Sequence, residues 1–125
     1  MEVVSRAHAA HYVWGESCNG WHLLATEGLS VIEERVPPGA SEVRHLHARA
    51  HQFFYVLAGE ATLELGGRTL VVAPGEGLEV PPGVAHRLLN AGAAELRFLV
   101  ISAPPSHGDR ILAAAGTADP GTETS

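Results

Sequence analysis

Between residues 21 and 102 the chain runs as short apolar segments, each closed by a turn bearing glycine or proline. Residues 21–25 and 29–36 are two such segments, joined through Thr26-Glu27-Gly28 as a hairpin, and Val36-Pro37-Pro38-Gly39 stops the second. Residues 52–57 (QFFYVL) are aromatic and β-branched, and the run is too short for a helix. Alternation here sets Gln52, Phe54 and Val56 on one face and Phe53, Tyr55 and Leu57 on the other. Residues 61–65 alternate in the same way, and Gly66-Gly67 fits a two-residue turn leading into 69–72. Further strands are predicted over 78–80, 86–89 and 96–102, divided by Ala73-Pro74-Gly75 and Pro81-Pro82-Gly83. A helix is predicted only at 109–114, with Asp109 as its N-cap. Eight or more short strands at even spacing, with no interior helix, predict an all-β sandwich or barrel.

A chain of 125 residues suits one domain. Residues 1–12 read as a loosely held N-terminal arm, 13–112 as the barrel, and 113–125, small and polar, as a disordered tail. Fourteen acids against eight bases give a formal charge of −6. That balance disfavours nucleic acid and anionic membrane surfaces as partners, and with them a five-stranded oligonucleotide-binding barrel, which needs a basic groove. No apolar run approaches the roughly 20 residues of a membrane helix. Residues 1–11 lack the basic and apolar parts of a signal peptide, so the expected location is the cytoplasm. Every base is arginine, which removes Schiff-base chemistry and a lysine general base. Cys18 stands alone, without a disulfide or CxxC partner, and reads as a small packed residue.

The eight histidines change the picture. His45 and His47 are two apart, so on a strand both rings share a face, with backbones about 6–7 Å apart. Two such imidazoles can converge on one metal ion; the same spacing on a helix cannot do this. Taken alone, an HxH pair is as often two polar residues on a wet strand face. Gln52 opens the next strand, and His86 opens another 34 residues later; each follows a turn.

The frame around these residues resembles the two motifs of the cupin superfamily. The first, G-x5-H-x-H-x3or4-E-x6-G, is matched by Gly39, His45, His47, Gln52 and Gly59, with glutamine replacing the glutamate. The second, G-x5-P-x-G-x2-H-x3-N, is matched throughout by Gly75, Pro81, Gly83, His86 and Asn90. The resemblance implies a double-stranded β-helix, or jelly-roll barrel, paired into a homodimer. It implies His45, His47, Gln52 and His86 as ligands of one divalent metal ion, with Asn90, Pro81 and the glycines as frame positions. His51 is the alternative to Gln52, at the cost of an interval to Gly59 one residue too long.

Glutamine in place of glutamate removes one negative charge, so the ion is expected to be held less tightly and to be a stronger Lewis acid. A nitrogen-rich donor set suits Zn, Fe, Ni, Cu or Mn and excludes an oxygen cage for Mg or Ca. Ligation needs neutral imidazoles, so affinity is expected to fall as pH drops through about 6.5. The resemblance then implies either an enzyme of the dioxygenase, isomerase or cyclase kind, acting on a small carbonyl- or enol-containing molecule, or a barrel that binds a small molecule or metal without turnover. A positioned acid or base facing the metal would separate the two, and Glu79 is the weak candidate. Phe54 is expected to wall an apolar cavity beside the metal, or simply to pack the core. Trp14, Trp21 and His22 are rim candidates without a spacing argument, and Arg97 fits a surface pair with a glutamate. His8, His11 and His107 carry no assignment. No GxSxG, phosphate-loop or HExxH pattern is present. Phe53, Tyr55 and Leu57 are large for a surface and are expected to lie under a second sheet or a partner subunit.

Overall fold

The computed structural model describes residues 1–114. They form eleven strands: β1 (Ala10–Trp14), β2 (Cys18–Ala25), β3 (Ser30–Val36), β4 (His45–His47), β5 (His51–Ala58), β6 (Ala61–Leu65), β7 (Arg68–Val72), β8 (Gly77–Val80), β9 (His86–Leu89), β10 (Leu96–Ala103) and β11 (Arg110–Leu112). A six-stranded sheet in the order β1-β2-β3-β10-β5-β8 faces a five-stranded sheet in the order β11-β4-β9-β6-β7, with every pairing antiparallel. This is the expected all-β jelly roll.

Local chemistry explains the element ends. Gly66 and Gly67 both have positive φ (49° and 83°), which a tight two-residue turn between β6 and β7 requires and side chains oppose. The alternation in β5 holds along its length: Gln52, Phe54 and Val56 are buried, and Phe53, Tyr55 and Leu57 are exposed. Between the sheets lie Val36, Val56, Leu63, Val80, Leu88, Leu96 and Phe98, each almost fully buried. Each of the larger of these contributes roughly 1.5–3 kcal/mol by leaving water.

Two sequence expectations need correction. The helix expected at 109–114 is absent; Arg110–Leu112 is instead strand β11, paired with β4. Six residues are too few to offset the cost of nucleating a helix, whereas the edge of β4 offers a ready ladder. Strand β1 begins at Ala10, inside the stretch read as an arm, because β2 extends back to Cys18 and supplies a partner. Among the described residues no second sheet covers the outer face of β5, and Phe53 stays 41 % exposed. Ala113 N–H donates to the Arg44 carbonyl at 3.1 Å; residues 115–125 of the segment read as a tail lie outside the described residues.

Two polar clamps hold the strands that matter for the site. Glu64 on β6 accepts from Arg87 on β9 through both carboxylate oxygens (3.0 Å each) and from Arg44 just ahead of β4 (2.9 Å). Asn90 donates to the carbonyls of Val36 (2.9 Å) and Ala94 (2.8 Å) and accepts from Gly92 N–H (3.0 Å), closing the turn after β9.

Candidate metal centre

Strand β4 is only three residues long, and its two histidines point inward between the sheets. Its neighbour β9 begins with His86, which pairs directly with His45. The approach depends on Gly83, whose φ of 81° turns the chain so that its N–H donates to the His47 carbonyl at 2.8 Å. The three rings therefore converge, with centroids 4.4 Å (His45–His86), 4.9 Å (His45–His47) and 5.8 Å (His47–His86) apart. One ring nitrogen from each lies within 4.8 Å of the other two. Gln52 reaches in from β5 on the opposite sheet and is also buried.

The hydrogen bonds select one tautomer for all three rings. Nδ1–H of His45 donates to the Val43 carbonyl (2.7 Å), that of His86 to the Val84 carbonyl (3.0 Å), and that of His47 to Asp109 Oδ1 (2.8 Å). Each Nε2 is left as a bare lone pair, the form a metal requires. The Gln52 amide is oriented in the same manner: Nε2 donates to Ser102 Oγ at 3.0 Å, and Oε1 is left free. Buried polar atoms are normally paired. Yet His86 Nε2 and Gln52 Oε1 have no partner at all. Three converging buried imidazoles are a donor set that a divalent cation fits, Gln52 lines the same cavity as His45 and His47, and neutral nitrogen favours a transition metal over magnesium or calcium.

Desolvation keeps His45 and His86 neutral. Burial, and next the neighbouring His86, lowers the His45 pKa to about 3. Burial also lowers that of His86 to about 4. Protonation of these two rings is thus displaced well below the pH of 6.5 expected from ordinary imidazole. Asp109 steadies the third ring. Burial would raise its pKa, but the N–H groups of Arg49 and Ala50 (2.9 Å each) and the His47 ring outweigh burial and hold it below the usual carboxylate range.

His45, His47 and Gln52 open onto a cavity of about 640 Å³ whose wall also includes Tyr12, Trp14, His22, Ile32, Phe54 and Val100. Phe54 thus both packs against Phe98 and walls the cavity. His107 also borders this space. Trp21 faces the other way, beneath the Arg6 guanidinium. His51 lies on the outer face, hydrogen-bonded to Glu79, and both side chains are exposed; neither turns toward the cavity. Arg97 pairs with Glu33 at 3.0 Å, Cys18 is packed in the core, and His11 contacts Asn19 at 2.7 Å.

Five residues of the cavity or its support escaped the sequence reading: Tyr12, Glu34, Glu42, Asp109 and Arg110. For Glu34 a signal existed. Strand alternation through VIEERV sets Ile32, Glu34 and Val36 on one side, so an inward Val36 implies an inward Glu34. Glu42 lies outside any strand, and nothing local marks it.

Residues 32–102 match the model of the Cupin domain family. An uncharacterized protein of Methanocaldococcus jannaschii is 32 % identical over 81 residues, which is 64 % of this chain and 65 % of that protein. An oxalate-binding protein of Thermotoga maritima is 27 % identical over 85 residues, 64 % of this chain and 70 % of the relative. Among solved structures, the polyketide cyclase RemF from Streptomyces resistomycificus superposes with a TM-score of 0.78 at 25 % identity, over 96 % of this chain and 89 % of the cyclase. With both motifs on adjoining strands of one jelly roll and the family model spanning most of the barrel, the chain belongs to the cupin family.

Proposed function

We propose that this protein is a metal-dependent enzyme acting on a small carbonyl- or enol-bearing molecule, with His45, His47, His86 and Gln52 as ligands of one divalent transition metal ion. The observation that carries this reading is the convergence of three buried imidazoles whose Nδ1 atoms are all engaged, with His86 Nε2 orphaned and the orphaned Gln52 Oε1 belonging to a residue that lines the same cavity as His45 and His47. When bound, the ion supplies a Lewis acid that polarises a carbonyl or enolate oxygen. The chain's own contribution is to fix three tautomers, to exclude water with Phe54, Ile32 and Val100, and to leave space for a ligand at the mouth of the rings. The likeness to a polyketide cyclase supports a polycarbonyl substrate.

The likeness to an oxalate-binding protein supports a second reading, capture of a small acid without turnover. Two carboxylates in the cavity wall, Glu34 and Glu42, count against it. The test is metal content after exposure to Zn, Ni, Fe(II) or Cu and extensive dialysis, together with the ultraviolet difference spectrum of added pentane-2,4-dione. About one ion per chain and a saturable spectral change are expected for the wild type, and neither for His86→Ala. A wild-type protein that retains no metal would end the proposal.

A homodimer is part of the same proposal. Phe53, Tyr55 and Leu57 form an exposed apolar stripe on β5, next to Leu99 and Ile101 of β10. Light scattering should give twice the monomer mass, and Phe53→Glu with Leu57→Glu should return it to one.

A further inference from the structure

Besides His45 and His47, the cavity holds an acidic corner. Tyr12, Gly20 and Glu34 lie side by side across β1, β2 and β3. A Cβ on Gly20 would come within 2.2 Å of the Tyr12 ring. The phenol therefore lies over the bare glycine, and its hydroxyl donates to Glu34 Oε2 at 2.8 Å. Glu42, on the chain leading into β4, faces the same space, and its Oε1 accepts the Leu88 N–H at 3.0 Å.

Neither carboxylate has an ion-pair partner among the described residues. The other titratable groups facing them are Tyr12 on β1, His22 on β2, His45 and His47 on β4, Arg110 on β11 and His107 in the loop before it. Arg110 is the cavity's cation, and it reaches toward the Val43 carbonyl (3.4 Å) rather than either acid. Burial raises the Glu34 pKa to about 7 against the opposing pull of Tyr12 and Arg110. Burial, and next the charge of Glu34, raises that of Glu42 to about 8. Near neutrality the pair therefore carries a proton that it can give or take.

We propose that Glu34, seated by Tyr12 across Gly20, is the acid–base residue of this cavity, exchanging a proton with an uncharged enolisable dicarbonyl, and that the Glu34–Glu42 pair turns away dianions such as oxalate. The inference rests on the metal-dependent reading above. The Glu34 carboxylate takes a proton from the carbon between two carbonyls, and the C–H electron pair passes into the enolate. The resulting carboxylic acid returns a proton to carbon or oxygen, so no oxidant or second reactant is consumed. Tyr12 acts as a positioning residue that stabilises the charged form of Glu34.

The test uses the metal-loaded full chain and pentane-2,4-dione, following deuterium exchange at C3 by proton NMR. Glu34→Gln should lower protein-catalysed exchange by about 100-fold or more while metal content and dione binding persist. Tyr12→Phe should move the acidic limb of the pH–rate profile up by about one unit, because a donor to the carboxylate is lost; a merely structural Tyr12 would lower the rate and leave the limb in place. Oxalate should bind the Glu34→Gln, Glu42→Gln double variant at least about tenfold more tightly than the wild type. Unchanged exchange in Glu34→Gln, or equal oxalate affinity in both proteins, overturns this inference and leaves the metal reading standing. Failure of the wild type to bind metal or the dione brings down both.

Discussion

Replacing Asp109 by asparagine isolates what the carboxylate does for the metal centre. Its Oδ1 accepts the His47 Nδ1–H at 2.8 Å, and its Oδ2 accepts two backbone N–H groups, of Arg49 and Ala50, at 2.9 Å each. An amide of the same shape keeps one acceptor oxygen. If that oxygen serves the two backbone donors, the new NH₂ faces His47 Nδ1 and drives the ring into the other tautomer. The proton then sits on Nε2, where the metal lone pair was. Loss of such a buried partner to a metal-ligating imidazole costs about 10- to 100-fold in metal affinity. Loss of the carboxylate's charge-assisted hydrogen bonds in a site that is 7 % exposed costs about 1–3 kcal/mol of stability. The folded-state pKa of Asp109 is lowered, so its stabilisation is present above the unfolded value of about 3.9 and is lost as pH falls through the folded value. The asparagine variant should lack that acid-limb contribution. Chelator competition for the ion and urea unfolding at pH 7 and below pH 4 measure these quantities. A variant within twofold of wild type in metal affinity and within about 0.5 kcal/mol in stability would refute the account.

Gln52→Glu adds a negative charge to an otherwise neutral donor set and should raise affinity for a divalent ion by at least about tenfold in the same competition assay. For the apoprotein, His45 and His86 are bases whose folded pKa values, about 3 and about 4, lie below the unfolded 6.5. Their contribution is complete above pH 6.5 and is lost on acidification toward those folded values. Urea midpoints should therefore fall by an amount worth several kcal/mol between pH 6.5 and 4, and less in His45→Phe. Gly59→Ala places a Cβ 2.4 Å from the Glu95 carbonyl oxygen at a φ of 75°, against backbone that cannot swing aside. A loss of about 2–4 kcal/mol is expected from thermal unfolding, with metal binding retained in the folded fraction.

The outcomes at 109–114 and at 51–52 show where sequence reading succeeds and fails. Alternation assigns a face without reference to any distant partner. The inward set Gln52, Phe54 and Val56 was therefore legible, as was the outward set Phe53, Tyr55 and Leu57. Asp109 was misread because a helix N-cap and its observed role are the same chemistry, a carboxylate accepting backbone N–H groups. Which N–H groups it accepts is a tertiary matter: those of Arg49 and Ala50, some sixty residues earlier in the chain.

From the order of residues alone came the all-β architecture, the turns at Gly66-Gly67 and Pro81-Pro82-Gly83, and a proposed ligand set spread across two motifs. These depend on short-range periodicity, turn chemistry and the spacing of a recognisable pattern. The tautomers of three histidines, the orphaned Gln52 oxygen, the depressed imidazole pKa values and the Tyr12–Gly20–Glu34 row came only with the packed sheets. Strand periodicity states which face a side chain takes. It does not state which strand lies opposite, and hydrogen bonding and desolvation depend on that neighbour.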